Sequence, residues 1–289
     1  MDSLTHIAIG VCLGEAFAGK TVGKKAMLWG IAAHSIPDID IIAAFWLSNT
    51  QDLLGHRGFT HSILFVLLFS PVFAYFAHKW HEPHKISFTK WTAFFLVAIG
   101  GHIFIDAFNN YGTAWFEPFS HYRVTFNTVY VADPLFSIWS IIALTALIIT
   151  KRGNKIRQKF WKFGLGFTAL YLFYCTVNKI IIDQSFKREL KINNVVSTKY
   201  FTTPAPLQNW LWFVVAGNDK GFYVGYKSVF HPSKNDGLTF FPKNDSLLDN
   251  YKDDEDIKNL KRFSNGFYTA SYYTDTLVFN DLRFGQEAG

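Results

Sequence analysis

Apolar residues run almost unbroken through the first two thirds of the chain, and polar ones interrupt them at a few places only. The stretches 4–18, 26–47, 62–77, 91–108, 134–150 and 163–182 approach the roughly 20 residues that carry a helix across a bilayer. From residue 184 onward charged residues interleave with aromatics. The segments 195–203, 210–215, 222–230 and 276–284 are short, aromatic or β-branched, and separated by Pro, Gly and Asn, as strands are. The acidic run at 253–256 suits the start of a solvated helix. The pattern predicts a mainly α protein: a transmembrane bundle of five to six helices over residues 1–183, then a small β-rich domain over 184–289.

Charge turns the apolar pattern into a topology. Lys20, Lys24 and Lys25 follow the first run, Lys79, Lys85 and Lys90 the third, and Lys151, Arg152, Lys155, Arg157, Lys159 and Lys162 the fifth, whereas the opposite loops carry only Arg57 and Arg123. This alternation is that of cytoplasmic loops rich in Lys and Arg, and a soluble all-helical core would not require it. It puts the N-terminus and the C-terminal domain outside the cytoplasm. The net charge of +6 is thereby spread over loop ends near anionic lipid, which argues against nucleic acid as a partner. The start MDSLTH lacks the basic region of a cleaved signal, so the first helix is expected to stay. Cys12 and Cys175 fall in spans and define neither a disulfide framework nor a CxxC site.

Ionisable residues inside such spans are costly unless they are paired, hold a metal or face water. His34, Asp38 and Asp40 lie in HSIPDID, His102 and Asp106 in GGHIFID, and His56, Arg57 and His61 in HRGFTHS at the mouth of the third span. With the predicted topology all of them, and His6, reach one level near the outer surface. His102 and Asp106 are four apart, on one helix face. Pro37 should break the helix beside Asp38 and Asp40, and Gly100-Gly101 should permit close helix approach. A single histidine of this set would be best explained as a hydrogen-bonded helix contact. The set together reads as a pocket for one or two divalent ions, zinc first, with manganese or iron also compatible. Arg57 is expected to hold an anionic substrate, Asp38, Asp40 or Asp106 to serve as general base, and Asp133 to cap a helix or support a ligating histidine. Arg57, Asp40 and Asp133 are thus the candidate catalytic residues. His78, His81 and His84, on the cytoplasmic side, are expected to be solvated.

The fragments MDSLTHIAIG, HSIPDID, HRGFTHS, GGHIFIDAFNNYGT and ADPLFS together resemble the membrane-bound metal-dependent hydrolases of the YdjM-like group, also described as LexA-binding inner-membrane-associated hydrolases. The resemblance covers roughly residues 1–150. It implies a multi-pass protein of the bacterial or archaeal cytoplasmic membrane with a metal centre formed by His6, His34, Asp38, Asp40, His56, His61, His102 and Asp106, with Arg57 beside them. It also implies distant kinship with zinc-dependent phospholipase C. The expected function is hydrolysis of a phosphoester or lipid-like substrate at the outer membrane face by metal-activated water. The rivals are a proton- or metal-coupled transporter and a non-catalytic membrane anchor for a protein partner.

Overall fold

The computed structural model describes residues 1–81, 86–233 and 237–285, and His84 falls outside them. These residues divide into two compact units. The first comprises 1–45, 55–126 and 131–174; the second comprises 46–54, 127–130 and 175–289.

The first unit is built from α1 (Ser3–Val22), α2 (Lys25–Ser35), α4 (Ile63–Trp80), α5 (Phe88–Asp106), α6 (Pro134–Ile149) and the first half of α7 (Arg157–Ile192), while the short helix α3 (Asn49–Gly55) falls almost wholly in the second. Among the described residues, four segments are long and apolar enough to cross a membrane: Lys25–Phe45, Ile63–Trp80, Phe88–Asp106 and Arg157–Ile192. Pro134–Ile149 is apolar but shorter. The expected bundle is therefore present, with four clear spans where five or six were anticipated. Helix α7 runs through residue 183 without a break.

Small residues decide how closely the first two helices meet. A Cβ on Gly14 would lie 2.0 Å from the Ala26 carbonyl oxygen, and one on Gly30 would lie 1.9 Å from that of Gly10. Backbone thus touches backbone between α1 and α2, one turn from His6 and beside His34. Gly100 and Gly101 have ordinary room around them, with 3.8 and 3.6 Å to the nearest side-chain atoms, so the tight crossing lies at Gly10, Gly14 and Gly30 instead of the expected pair. Pro37 acts as anticipated. Helix α2 stops at Ser35, and a ten-residue 3-10 segment, Ile36–Phe45, carries Asp38 and Asp40 onward.

The basic loops gather at one end of this unit. The Lys24 amine donates to the Ile148 carbonyl at 2.6 Å, joining the loop after α1 to the end of α6. Nearby, Arg157 is buried in a two-pronged ion pair with Glu15, at 2.8 and 2.6 Å, and also donates to the Leu147 and Thr150 carbonyls. The histidines expected in a solvated cytoplasmic loop depart from expectation. His78 and His81 are half-buried: the His78 ring donates to the Ile86 carbonyl at 3.0 Å, and His81 accepts from the Trp29 indole and stacks on Trp91. Aromatic packing on three helices leaves these imidazoles less water than a loop tract would have.

The second unit holds an antiparallel sheet, in the order β1 (Lys199–Pro204), β2 (Leu211–Asn218), β3 (Gly221–Ser228) and β4 (Thr239–Pro242). A hairpin of β5 (Tyr268–Tyr273) and β6 (Thr276–Asp281) and the helix α8 (Glu255–Phe263) complete it. Strand β2 explains why LWFVVAGN is so evenly apolar: Phe213 and Val215 pack with Phe201, Phe222 and Phe267 on one face, while Trp212, Val214 and Ala216 pack on the other against Ile182, Phe186 and Leu190 of α7. A strand covered on both faces has no polar alternation to display. Asp254 caps α8, accepting from the Asp256 and Ile257 amides, as the acidic run suggested.

Candidate metal centre

Every histidine and aspartate singled out within the spans lies at the end of the bundle opposite the basic loops. His6 comes from the first turn of α1, His34 from the last turn of α2, and His102 and Asp106 from the end of α5. His61 closes a short 3-10 turn, Phe59–His61, just before α4. His6, His34, His61, His102 and Asp106 are completely buried, whereas the Asp38 side chain keeps 27% of its surface open.

Four ligand atoms converge: one carboxylate oxygen each from Asp38 and Asp106, and Nε2 of His61 and His102. The Nε2 atoms are 3.2 Å apart. Asp38 Oδ1 stands 3.5 Å from His61 and 3.3 Å from His102, and Asp106 Oδ2 stands 3.7 Å from both. Ligands at 2.0–2.1 Å around a tetrahedral ion are separated by about 3.3 Å. The five separations bracket that value.

The proton positions follow from the outer nitrogens. His102 Nδ1 lies 2.6 Å from the His34 carbonyl, which only accepts, so Nδ1 carries the hydrogen and Nε2 a lone pair. His61 Nδ1 faces Asp40 Oδ2 at 3.2 Å and the Thr60 hydroxyl at 3.1 Å, while that hydroxyl donates to Asp40. Its Nε2 is the inward atom as well. Two imidazole lone pairs and two carboxylate oxygens aimed at one point need a cation between them, a proton or a metal ion. Burial pushes the pKa of His61 down, but hydrogen bonds to Asp106, Asp38 and Asp40 outweigh it and lift the value to about 9. The same surplus of negative charge favours a divalent ion, and the donor set suits one.

A second group, His6, His34 and His102, also brings one ligand atom from each residue together. His34 Nδ1 donates to the Ala98 carbonyl at 2.7 Å, which leaves Nε2 buried without a hydrogen-bond partner. His6 Nε2 lies 3.1 Å from Asp106 Oδ1, and its Nδ1 is likewise buried and unpaired. The His6 and His102 rings, however, stack at 3.8 Å with only 24° between their planes, so their in-plane lone pairs do not converge well. The first group is the better formed.

The remaining candidates stand one step outward. Asp40 accepts from His56 at 2.9 Å, from the Arg57 amide at 2.8 Å and from Thr60 at 2.9 Å, so it orients these residues. His56 is partly exposed at the mouth and belongs to neither ligand group. Arg57 is buried, with Nε 3.2 Å from Asp106 Oδ2 and Nη1 donating to Asn109 at 2.8 Å. Asp133 caps α6, accepting from the Leu135 and Phe136 amides, and its other oxygen accepts from Tyr171 at 2.9 Å. It stands outside both ligand groups. Residues not singled out beforehand are Thr60, Asn109 and the Met1 amine, which pairs with Asp106. Thr60 and Asn109 sit inside the quoted motifs, yet neither residue type signals a metal site alone.

Apolar spans closing around a buried His/Asp group that could hold a metal ion define a membrane protein with a candidate metal centre. The family model for the YdjM inner membrane protein matches residues 1–182, and the chain belongs to this family. It is 27% identical to the uncharacterized protein YfhP of Bacillus subtilis (strain 168), over 93% of this chain and 89% of that protein. It is 23% identical to the inner membrane protein YbcI of Escherichia coli (strain K12), over 51% of this chain and 79% of that protein. No solved structure matches it.

Proposed function

We propose that the protein is a membrane-embedded metal-dependent hydrolase, with Asp38, His61, His102 and Asp106 holding one divalent ion, zinc by preference. The observation that carries this reading is the convergence of four acceptor atoms at tetrahedral spacing, each imidazole fixed from outside by a carbonyl or carboxylate. Three of these ligands would suffice for a catalytic ion, and Asp38, the partly open member, would share or yield the fourth position to a water that the ion activates near neutral pH. His56, held by Asp40 at the mouth, is placed to take up or deliver a proton. Asp38, the partly open member of the set, lies where substrate enters.

The substrate class we assign is a phosphoester at the membrane surface, a lipid head group being the natural source. Exposed Phe45, Phe59, Phe119 and Tyr122 follow or flank the ligand-bearing segments, as aromatics do at a membrane interface. We read this mouth, and the C-terminal domain, as extracytoplasmic, a reading that the basic residues of the opposite loops support.

The test begins with the full chain purified in detergent, its metals measured by elemental mass spectrometry beside His61→Ala and Asp106→Ala. One equivalent in wild type, lost in both variants, is expected. The zinc-loaded protein should then hydrolyse a phosphodiester or phospholipid and leave a matched amide intact. No metal in wild type, even after incubation with zinc, manganese and iron, overturns the reading.

A further inference from the structure

Arg57 holds two carboxylates from one residue. Its backbone has φ +61°, a left-handed conformation that strains a residue with a Cβ. Two hydrogen bonds maintain it: the Arg57 amide donates to Asp40, and its carbonyl accepts from the Ala114 amide at 3.0 Å. Such strain is sustained where the surroundings over-determine it. Here it turns the side chain inward while the backbone keeps its grip on Asp40.

The guanidinium is itself fixed. Asn109 Oδ1 accepts from Nη1 and also from the Tyr111 amide at 2.9 Å, and the Tyr111 ring lies 5.3 Å from the guanidinium carbon. On its other side Nε meets Asp106 Oδ2, an oxygen that receives no hydrogen bond and faces His61 and His102. The second oxygen of Asp106 is held by His6 and the Met1 amine. The carboxylate is thus clamped from both sides about a torsion that is otherwise broad.

We infer that Arg57 is a positioning residue, which with Asn109 aims Asp106 Oδ2 at the metal ion, and not the group that binds a substrate anion. The inference rests on the proposed metal centre. Two effects oppose each other here and have opposite signs. A cation beside a ligand repels the ion, so charge alone predicts tighter metal binding once Arg57 is removed. Orientation predicts weaker binding, because outer partners of metal ligands typically contribute about 10–100-fold in affinity.

The experiment uses the full chain in detergent, with Co(II) as probe for affinity and for its visible absorption, which is strongest in tetrahedral sites. Arg57→Gly keeps the left-handed backbone and removes the side chain. We expect it to bind Co(II) at least about 10-fold more weakly with a weaker visible band, Arg57→Lys to recover part of both, and Asn109→Ala to shift both less in the same direction. Wild-type affinity and spectrum in Arg57→Gly, or tighter binding, overturns the inference. Should Arg57→Gly not be recovered folded, an unchanged Asn109→Ala does so. Wild type that binds no Co(II) rejects the metal centre itself, an outcome distinct from a wild type that binds and a variant that does not differ.

Discussion

The two ends of the helical unit both bury charge, yet they treat it differently. At the basic end, Glu15 and Arg157 satisfy each other in a two-pronged pair, and the remaining arginine hydrogens go to the carbonyls of Leu147 and Thr150 and to the Met27 sulfur. At the other end, the acceptor atoms His6 Nδ1, His34 Nε2 and Asp106 Oδ2 are buried with no hydrogen-bond partner. Burial of polar groups in a bilayer is therefore not itself a sign of function. A closed network is a structural joint; a network of acceptors facing one another asks for a cation.

This contrast can be broken most forcefully at the joint. Arg157→Ala leaves Glu15 as an uncompensated buried carboxylate and should destabilise the protein by about 3–5 kcal/mol, whereas Glu15→Met with Arg157→Met should recover most of the loss. Thermal unfolding in detergent checks both, and an additive double variant would show that the pair is not a joint. At the centre the signs should differ. Asp38→Asn and His102→Ala should both abolish tight metal binding; Asp38→Asn should leave the metal-free protein as stable as wild type or more so, since it removes a negative charge from a crowded set, whereas His102→Ala also strips the His34 carbonyl of its donor.

Asp40→Asn sharpens the distinction between ligands and the groups behind them. It should retain one equivalent of metal at high concentration but weaken affinity by about 10–100-fold, read by competition with a chromogenic chelator. An effect as complete as that of His102→Ala would make Asp40 a direct ligand. The smallest effect is expected in the second unit. Burial raises the pKa of Asp245, but the Lys261 amine at 2.8 Å and the Tyr268 hydroxyl at 2.5 Å outweigh it, leaving the carboxyl below its ordinary 3.8. A depressed folded pKa gives stability that is present above 3.8 and lost as pH falls through the lower folded value. Asp245→Asn should flatten that acid limb slightly, as followed by tryptophan fluorescence, without touching metal content.

What the sequence by itself determined is the part governed by periodicity and by cost. Long apolar runs announce membrane helices whatever their neighbours do, and the histidines and aspartates inside them are too costly to be incidental. The helix break at Pro37 and the cap at Asp254 were legible for the same local reason. The short edge strand β4, ending in Pro242, and the polar β5 escaped because neither has a buried face long enough to leave a pattern. Tertiary structure alone decided which residues among the candidates could share an ion. Spacing puts Asp38 and Asp40 on one segment, but only the packing of α2 against α5 turns Asp38 toward His61 and His102 and leaves Asp40 behind His61. It also decided the close approach of α1 to α2, and the left-handed turn at Arg57 that directs a guanidinium onto a carboxylate 49 residues away. Side-chain direction depends on how helices rotate and cross, and no single segment of the chain contains that information.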